Sequence, residues 1–198
     1  MKKYGIWIVL GLVLLLFVNG CDTYNGFVDK SENIEGEWAD VETQYQRRAD
    51  LIPNLVATVQ EVADFEKSTI TEVIQARANA TSINLKADEL TPENIQKFQN
   101  AQDQLSGSLS RLLVTMERYP ELKATQNFSE LQAELSGTEN RIAVARKRFN
   151  DSVKAYNKAI KRFPGNIYAG MFNFEEKGYF KSDEGADKAT DVREEFNK

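Results

Sequence analysis

Three stretches in which apolar residues recur every three or four positions leave this chain little choice but to form long helices. The first runs through Ile34, Trp38, Val41, Tyr45, Ile52, Leu55, Val59, Val62, Thr69, Val73 and Ala76. The second is Ile95, Phe98, Gln102, Leu105, Leu109, Leu112, Met116 and Tyr119. The third is Phe128, Leu131, Leu135, Thr138, Ile142, Ala145, Phe149, Val153, Tyr156, Ile160 and Phe163. This spacing lines up one apolar stripe per helix, and water is kept from the stripes only if they pack on one another. Prolines at 53, 92, 120 and 164 punctuate the pattern. Thr91-Pro92-Glu93 predicts a helix start, with Thr91 as N-cap and Pro92 at the first helical position. Residues 79–91 and 120–127 read as connectors, short enough to make neighbouring helices antiparallel. The expected fold is all-α, an antiparallel up-and-down bundle of long helices.

Pro53 leaves the helix count open. A single helix over 27–78 would be about 78 Å long, against about 42 Å for 92–119 and about 54 Å for 128–163. It would overhang its partners. Asp50 can serve as an N-cap with Pro53 in the first turn. A turn at Asp50–Pro53, giving four helices, is therefore preferred to three helices with a first one kinked at Pro53.

The N-terminus reads as an address. Met1-Lys2-Lys3 is followed by an uncharged run over 4–18, YGIWIVLGLVLLLFV. A membrane span usually needs about 20 apolar residues, whereas a basic start and a shorter apolar run make a secretory signal. Val18-Asn19-Gly20-Cys21 resembles a bacterial lipobox, in which the cysteine is lipidated and becomes the new N-terminus. Cys21 is the single cysteine, and a thioether to lipid accounts for an unpaired thiol in an exported domain. The alternative is an uncleaved anchor over 1–20. Either way the lysines stay inside and the rest faces away from the cytoplasm, on the periplasmic or cell-surface side.

Composition removes whole classes of chemistry. The chain has no histidine, so Ser-His-Asp triads, His bases and His metal ligands cannot be built. No phosphate-binding glycine motif occurs. With 25 basic and 30 acidic residues, net −5, no basic stripe invites nucleic acid. No enzyme activity, metal or cofactor is expected.

Polar residues interrupt the apolar stripes. Arg48, Glu66, Gln102, Glu139, Asn140 and Arg146 fall on or beside buried positions. With 52–79 rising and 128–163 rising beside it, Glu66 would lie near the height of residue 142. A buried layer joining Glu66 with Arg146 and Asn140 is expected. Such layers typically set helix register, and the alternative is binding of a small molecule or ion. Beyond Pro164 the periodicity fails. Residues 165–181 are rich in glycine and aromatics (Tyr168, Phe172, Phe174, Tyr179, Phe180) and are expected to pack on the bundle end or face a membrane or partner. Residues 182–198 read as a polar mobile tail. The domain plan is thus an anchor or signal over 1–20, a tether over 21–27, a bundle over 28–164, and those two C-terminal segments.

Several motifs resemble one family. Gln46, Arg47, Arg48, Asp50, Leu51, Ile52, Pro53, Asn54, Leu55 and Val56, in QRRADLIPNLV, closely resemble the hallmark of the LemA family of bacterial membrane proteins. Glu72-Val73 with Ala76-Arg77 fits its E-V-x-x-A-R segment, and Glu117, Tyr119, Pro120, Leu122 and Ala124 fit E-x-Y-P-x-L-x-A. Leu135, Thr138, Glu139, Asn140, Ile142, Ala145 and Arg146 fit L-x-x-T-E-N-x-I-x-x-A-R, continued by Phe149-Asn150, Val153, Tyr156-Asn157 and Phe163-Pro164. Tyr24-Asn25-Gly26-Phe27-Val28 resembles the segment after the family's anchor. Phe65-Glu66 stands where many members have His-Glu. The resemblance implies a helical bundle held at the membrane, no established enzyme activity and no catalytic residues. It also implies a part in membrane organisation in some lineages and company with membrane proteases or TPM-domain proteins. The reading is a membrane-tethered, non-enzymatic scaffold that recruits an envelope protein.

Overall fold

The computed structural model describes residues 2–60, 66–123 and 125–181. The expected polar tail over 182–198 lies outside the described residues. Six α-helices account for most of the chain: α1 Lys2–Gln60, α2 Lys67–Ser82, α3 Pro92–Met116, α4 Pro120–Lys123, α5 Gln126–Lys161 and α6 Gly165–Phe172. A 3-10 turn at Ala87–Glu89 precedes α3. No strand occurs among the described residues.

The stripes read from the sequence are the buried faces. Every position from Ile34 to Val59 named above is buried, as are Ile95 to Met116 on α3 and Leu135 to Ile160 on α5. Phe163, at the end of the third stripe, is instead 81% exposed. The Thr91 cap stands where expected, and Thr125 provides a second. Thr91 Oγ1 accepts the Asn94 N–H at 3.3 Å to open α3, and Thr125 Oγ1 accepts the Phe128 N–H at 3.4 Å to open α5.

The turn expected at Asp50–Pro53 is not there. α1 continues through Pro53, and the chain reverses between Gln60 and Lys67. Proline removes the N–H that would bond the carbonyl four residues back. That carbonyl belongs to Ala49, and Arg77 Nε of α2 donates to it at 2.7 Å. A side chain from the next helix thus supplies the missing donor, and the helix need not end.

Named contacts fix the directions. Trp38 meets Phe149 while Arg48 reaches Glu139, so α1 and α5 are antiparallel. Trp38 meets Phe98 and Arg48 meets Ser106, so α1 and α3 are parallel. Gln102 bonds Ala80 and Arg111 pairs with Glu72, so α2 opposes α3. The result is up-down-up-down for α1, α2, α3 and α5.

The interior divides into two apolar clusters. One gathers Phe27 to Tyr45, Leu90 to Phe98, Ile142 to Ile160, Ala169 and Phe180. The other gathers Ile52 to Val59, α2, Leu105 to Met116, Phe128 and Leu135. In the second cluster α2 is the fourth wall. In the first, the C-terminal segment takes that part.

Candidate functional site

Between the two apolar clusters lies a polar layer centred on Arg48. α1 carries this side chain inward to 1% exposure. One Nη donates to Ser106 Oγ at 2.6 Å and Glu139 Oε1 at 2.8 Å. The other donates to Gln102 Oε1 at 2.7 Å and the Gln102 carbonyl at 3.2 Å. Gln102 Nε2 in turn donates to the Ala80 carbonyl at 3.3 Å, in the last turn of α2 where helical partners run out. Arg48 thereby reads α1, α3 and α5 directly and α2 through Gln102. Burying a guanidinium is costly unless charge and donors are matched, and here Glu139 and three further acceptors take the Nη groups while Nε finds no partner.

Tyr45, one turn earlier, lies under the same guanidinium, 5.1 Å from ring centroid to Cζ. Burial pushes its phenol up to about 12, against the opposing pull of the Arg146 and Arg48 charges. Glu42 is raised by burial as well, with the Trp38 indole N–H acting the other way.

Of the polar residues singled out in the sequence, the fold joins Arg48, Gln102 and Glu139, and leaves Glu66, Asn140 and Arg146 outside the layer. Glu66 is exposed before α2, where its carboxylate accepts the Ser68 hydroxyl at 3.1 Å. Asn140 is exposed on α5. Arg146 is one layer away, donating to the Lys181 carbonyl at 2.8 Å with its Cζ 5.0 Å from the Phe180 ring centroid. The link among Glu66, Asn140 and Arg146 required residues 52–79 to rise together. The reversal before Lys67 places Glu66 at the far end of the second cluster instead.

A second polar device carried no apolar signal. Beyond the left-handed cap at Asn173, residues 174–181 run as an extended strap between α3 and α5. Three side-chain amides hold it, each by a pair of bonds. Asn157 donates to the Lys177 carbonyl at 2.9 Å and accepts its N–H at 3.0 Å. Asn150 makes the same pair with Phe180 at 2.9 Å each way. Gln99 makes it with Lys181 at 3.1 and 2.9 Å. These amides replace the neighbouring strand that an isolated extended segment lacks. Phe180 then enters the first apolar cluster, 5.4 Å from Phe149 and 6.1 Å from Trp38 between ring centroids. Gly178 makes the approach possible: a Cβ there would come within 2.7 Å of Pro92 Cα. The repeated pairs Phe149-Asn150 and Tyr156-Asn157, seven residues apart, were the available clue.

An open groove of about 860 Å³ runs beside the Arg48 layer. Gln46, Arg47, Asp50 and Leu51 of α1 line one wall, and Thr81, Ile83 and Asn84 line the other. Gln46 Nε2 donates to Asp50 Oδ1 at 2.8 Å, and Arg47 pairs with Glu134 at 2.7 Å. Thus the QRRAD stretch does two jobs. Its third residue organises the interior while its exposed residues edge the groove. Of the rest, Ile52, Leu55 and Val56 are core, and Pro53 and Asn54 are exposed. No cluster of metal-ligating side chains occurs among the described residues. Cys21 is an exposed free thiol on α1.

These contacts define a class of protein, a helical bundle registered by one buried arginine and closed by its own extended C-terminal strap. A model of the LemA family matches residues 37–196, and the chain belongs to that family. Among its relatives are "Magnetosome protein MamQ 2" and "Magnetosome protein MamQ 1" of Paramagnetospirillum magneticum, each 25% identical over 181 residues, 83% of this chain and 66% of theirs. "Magnetosome protein MamQ" of Magnetospirillum gryphiswaldense is 26% identical over 174 residues, 79% of this chain and 64% of its own. The chain therefore spans just under two thirds of the length of these relatives.

Proposed function

We propose that this protein is a membrane-tethered, non-enzymatic scaffold of the cell envelope that binds a partner protein along the groove edged by Gln46, Arg47 and Asp50. The observation that carries this reading is the continuity of α1 across Cys21: from either tether, a lipid on Cys21 or the uncleaved segment before it, one helix leads into the bundle without a break. A helix that joins tether and domain holds the groove at a set height and orientation, which suits a recruiting surface. In the favoured form the tether is a lipid on Cys21, and in the alternative it is the uncleaved apolar segment before it. Among the described residues no helix is long and apolar enough to cross a membrane. Relatives named as magnetosome proteins support a role in membrane organisation.

The internal polar layer fits a register device better than a ligand site, because its acceptors are spent on Arg48. Cross-linking in native membranes, followed by purification and mass spectrometry, tests the reading. It expects one envelope protein recovered near one-to-one. Recovery of this chain alone would overturn it.

A further inference from the structure

We propose that the outer face of α6, together with Phe163, is a second lipid-contacting surface that seats the bundle on the bilayer interface beside its N-terminal tether. The proposal rests on the tethered reading above and adds a contact to it.

The face has unusual chemistry for an exposed helix. α6 reads GNIYAGMF, with one polar side chain and no charge. Its inner side is used up: Gly165 and Ala169 are buried, and Tyr168 packs over Gly20 of α1. A Cβ at Gly165 would meet the Ala159 carbonyl at 2.5 Å, so α6 is pressed against α5. What remains outside is still apolar. Phe163, Ile167 and Met171, spaced by four, are 81%, 54% and 65% exposed, and Phe172 is 45% exposed. Elsewhere, on α2, α3 and α5, the exposed large apolar side chains Ile74, Val114 and Val144 stand singly, one to a helix. A helix that is apolar on both sides is expected to be covered on both.

Position selects the cover. α6 is held on α1 at Gly20 and Tyr24, with Tyr24 and Phe172 at 5.0 Å between ring centroids. Those residues follow the apolar run 4–18 almost at once, a rise of roughly 3–9 Å beyond Val18 along the helix. Interfacial side chains reach about 5–10 Å into the headgroup boundary. If the run or a lipid on Cys21 is in the bilayer, α6 lies at headgroup height. Charges at this end are mixed. The chain here carries Lys158, Lys161 and Arg162 as well as Asp22, Glu175 and Glu176, and Lys161 pairs with Glu176 at 2.6 Å. The contact is therefore apolar and does not require anionic lipid.

The test uses the full chain in phosphatidylcholine vesicles, with and without bromine on the acyl chains. In a Trp7→Phe background the remaining tryptophan, Trp38, is 3% exposed and serves as an internal reference. Adding Ile167→Trp should give a component quenched roughly twofold by brominated lipid, as for an indole at the interface. Val144→Trp, on an exposed position of α5, should not be quenched. If the protein floats with the vesicles but Ile167→Trp is unquenched, the tether stands and the second contact is overturned. Equal quenching at 144 and 167 overturns it too. A chain that does not float removes the tether and this contact together.

Discussion

Arg77 Nε lies 2.7 Å from the Ala49 carbonyl oxygen, the one acceptor on α1 that Pro53 deprives of its helical donor. A proline inside a helix costs about 3 kcal/mol or more, part of it through that orphaned carbonyl. Here the loss is repaired from another helix, so α1 stays whole and α2 is fixed to it at one point. Arg77→Met is expected to destabilise by about 1–3 kcal/mol, the cost of a buried acceptor left unpaired. Pro53→Ala restores the local donor and should remove much of that penalty. Urea denaturation of the double-mutant cycle reads the coupling, and strictly additive effects would sink the assignment.

The Arg48 layer predicts unequal costs for carboxylates that look alike in sequence. Glu139→Ala leaves a buried guanidinium short of its counter-charge and should cost about 1–3 kcal/mol, held to that range because Glu139 itself is half exposed. Glu66→Gln and Asn140→Ala should each stay within about 0.5 kcal/mol. Thermal melts decide, and a Glu66 effect as large as that of Glu139 would contradict the layer.

The strap should loosen one residue at a time. The amides of Lys177, Phe180 and Lys181 donate to Asn157, Asn150 and Gln99, so they should exchange slowly with solvent deuterium. Asn157→Ala should speed exchange at Lys177 most. Phe180→Ala empties an aromatic site and should cost about 3–5 kcal/mol of stability. Fast exchange at all three amides in the unmutated protein would refute the strap.

Tyr45 gives a pH dependence with a definite sign. Its folded phenol titrates at about 12, above the ordinary 10.0. The stability it contributes is therefore present below pH 10 and is lost as pH rises from there towards 12. Tyr45→Phe should lose less stability over that window. Melting temperatures at pH 9 and 11.5 compare the two, and parallel losses would show that Tyr45 is not the coupled group.

The tether predicts a mass. In the lipidated form the purified chain begins at Cys21 and carries a diacylglyceryl group, while Cys21→Ser retains residues 1–20. Intact-protein mass spectrometry from membranes separates these outcomes. An unmodified thiol on a full-length chain would leave the uncleaved anchor as the tether.

The apolar faces were legible because burial is repeated every turn, so many residues report the same fact. Thr91-Pro92 was legible because a cap is a local arrangement. The reversal before Lys67 was not, since the repair of Pro53 comes from Arg77, which is remote in sequence. That error of direction displaced Glu66 in turn. Arg48 was visible as a misfit, yet its partners Gln102 and Ser106 depend on which helix faces which. The strap escaped because it is held by amides and one aromatic ring, which leave no periodic mark. α6 escaped because eight residues with two glycines hardly announce a helix.

On the proposed function, the groove beside Gln46, Arg47 and Asp50 receives an envelope protein. A photoreactive phenylalanine analogue placed at Asp50 or at Val144, irradiated in native membranes, tests it most directly. A partner seated in the groove gives one adduct of defined mass from Asp50 and none from Val144. Adducts from both positions alike, or from neither, would contradict it.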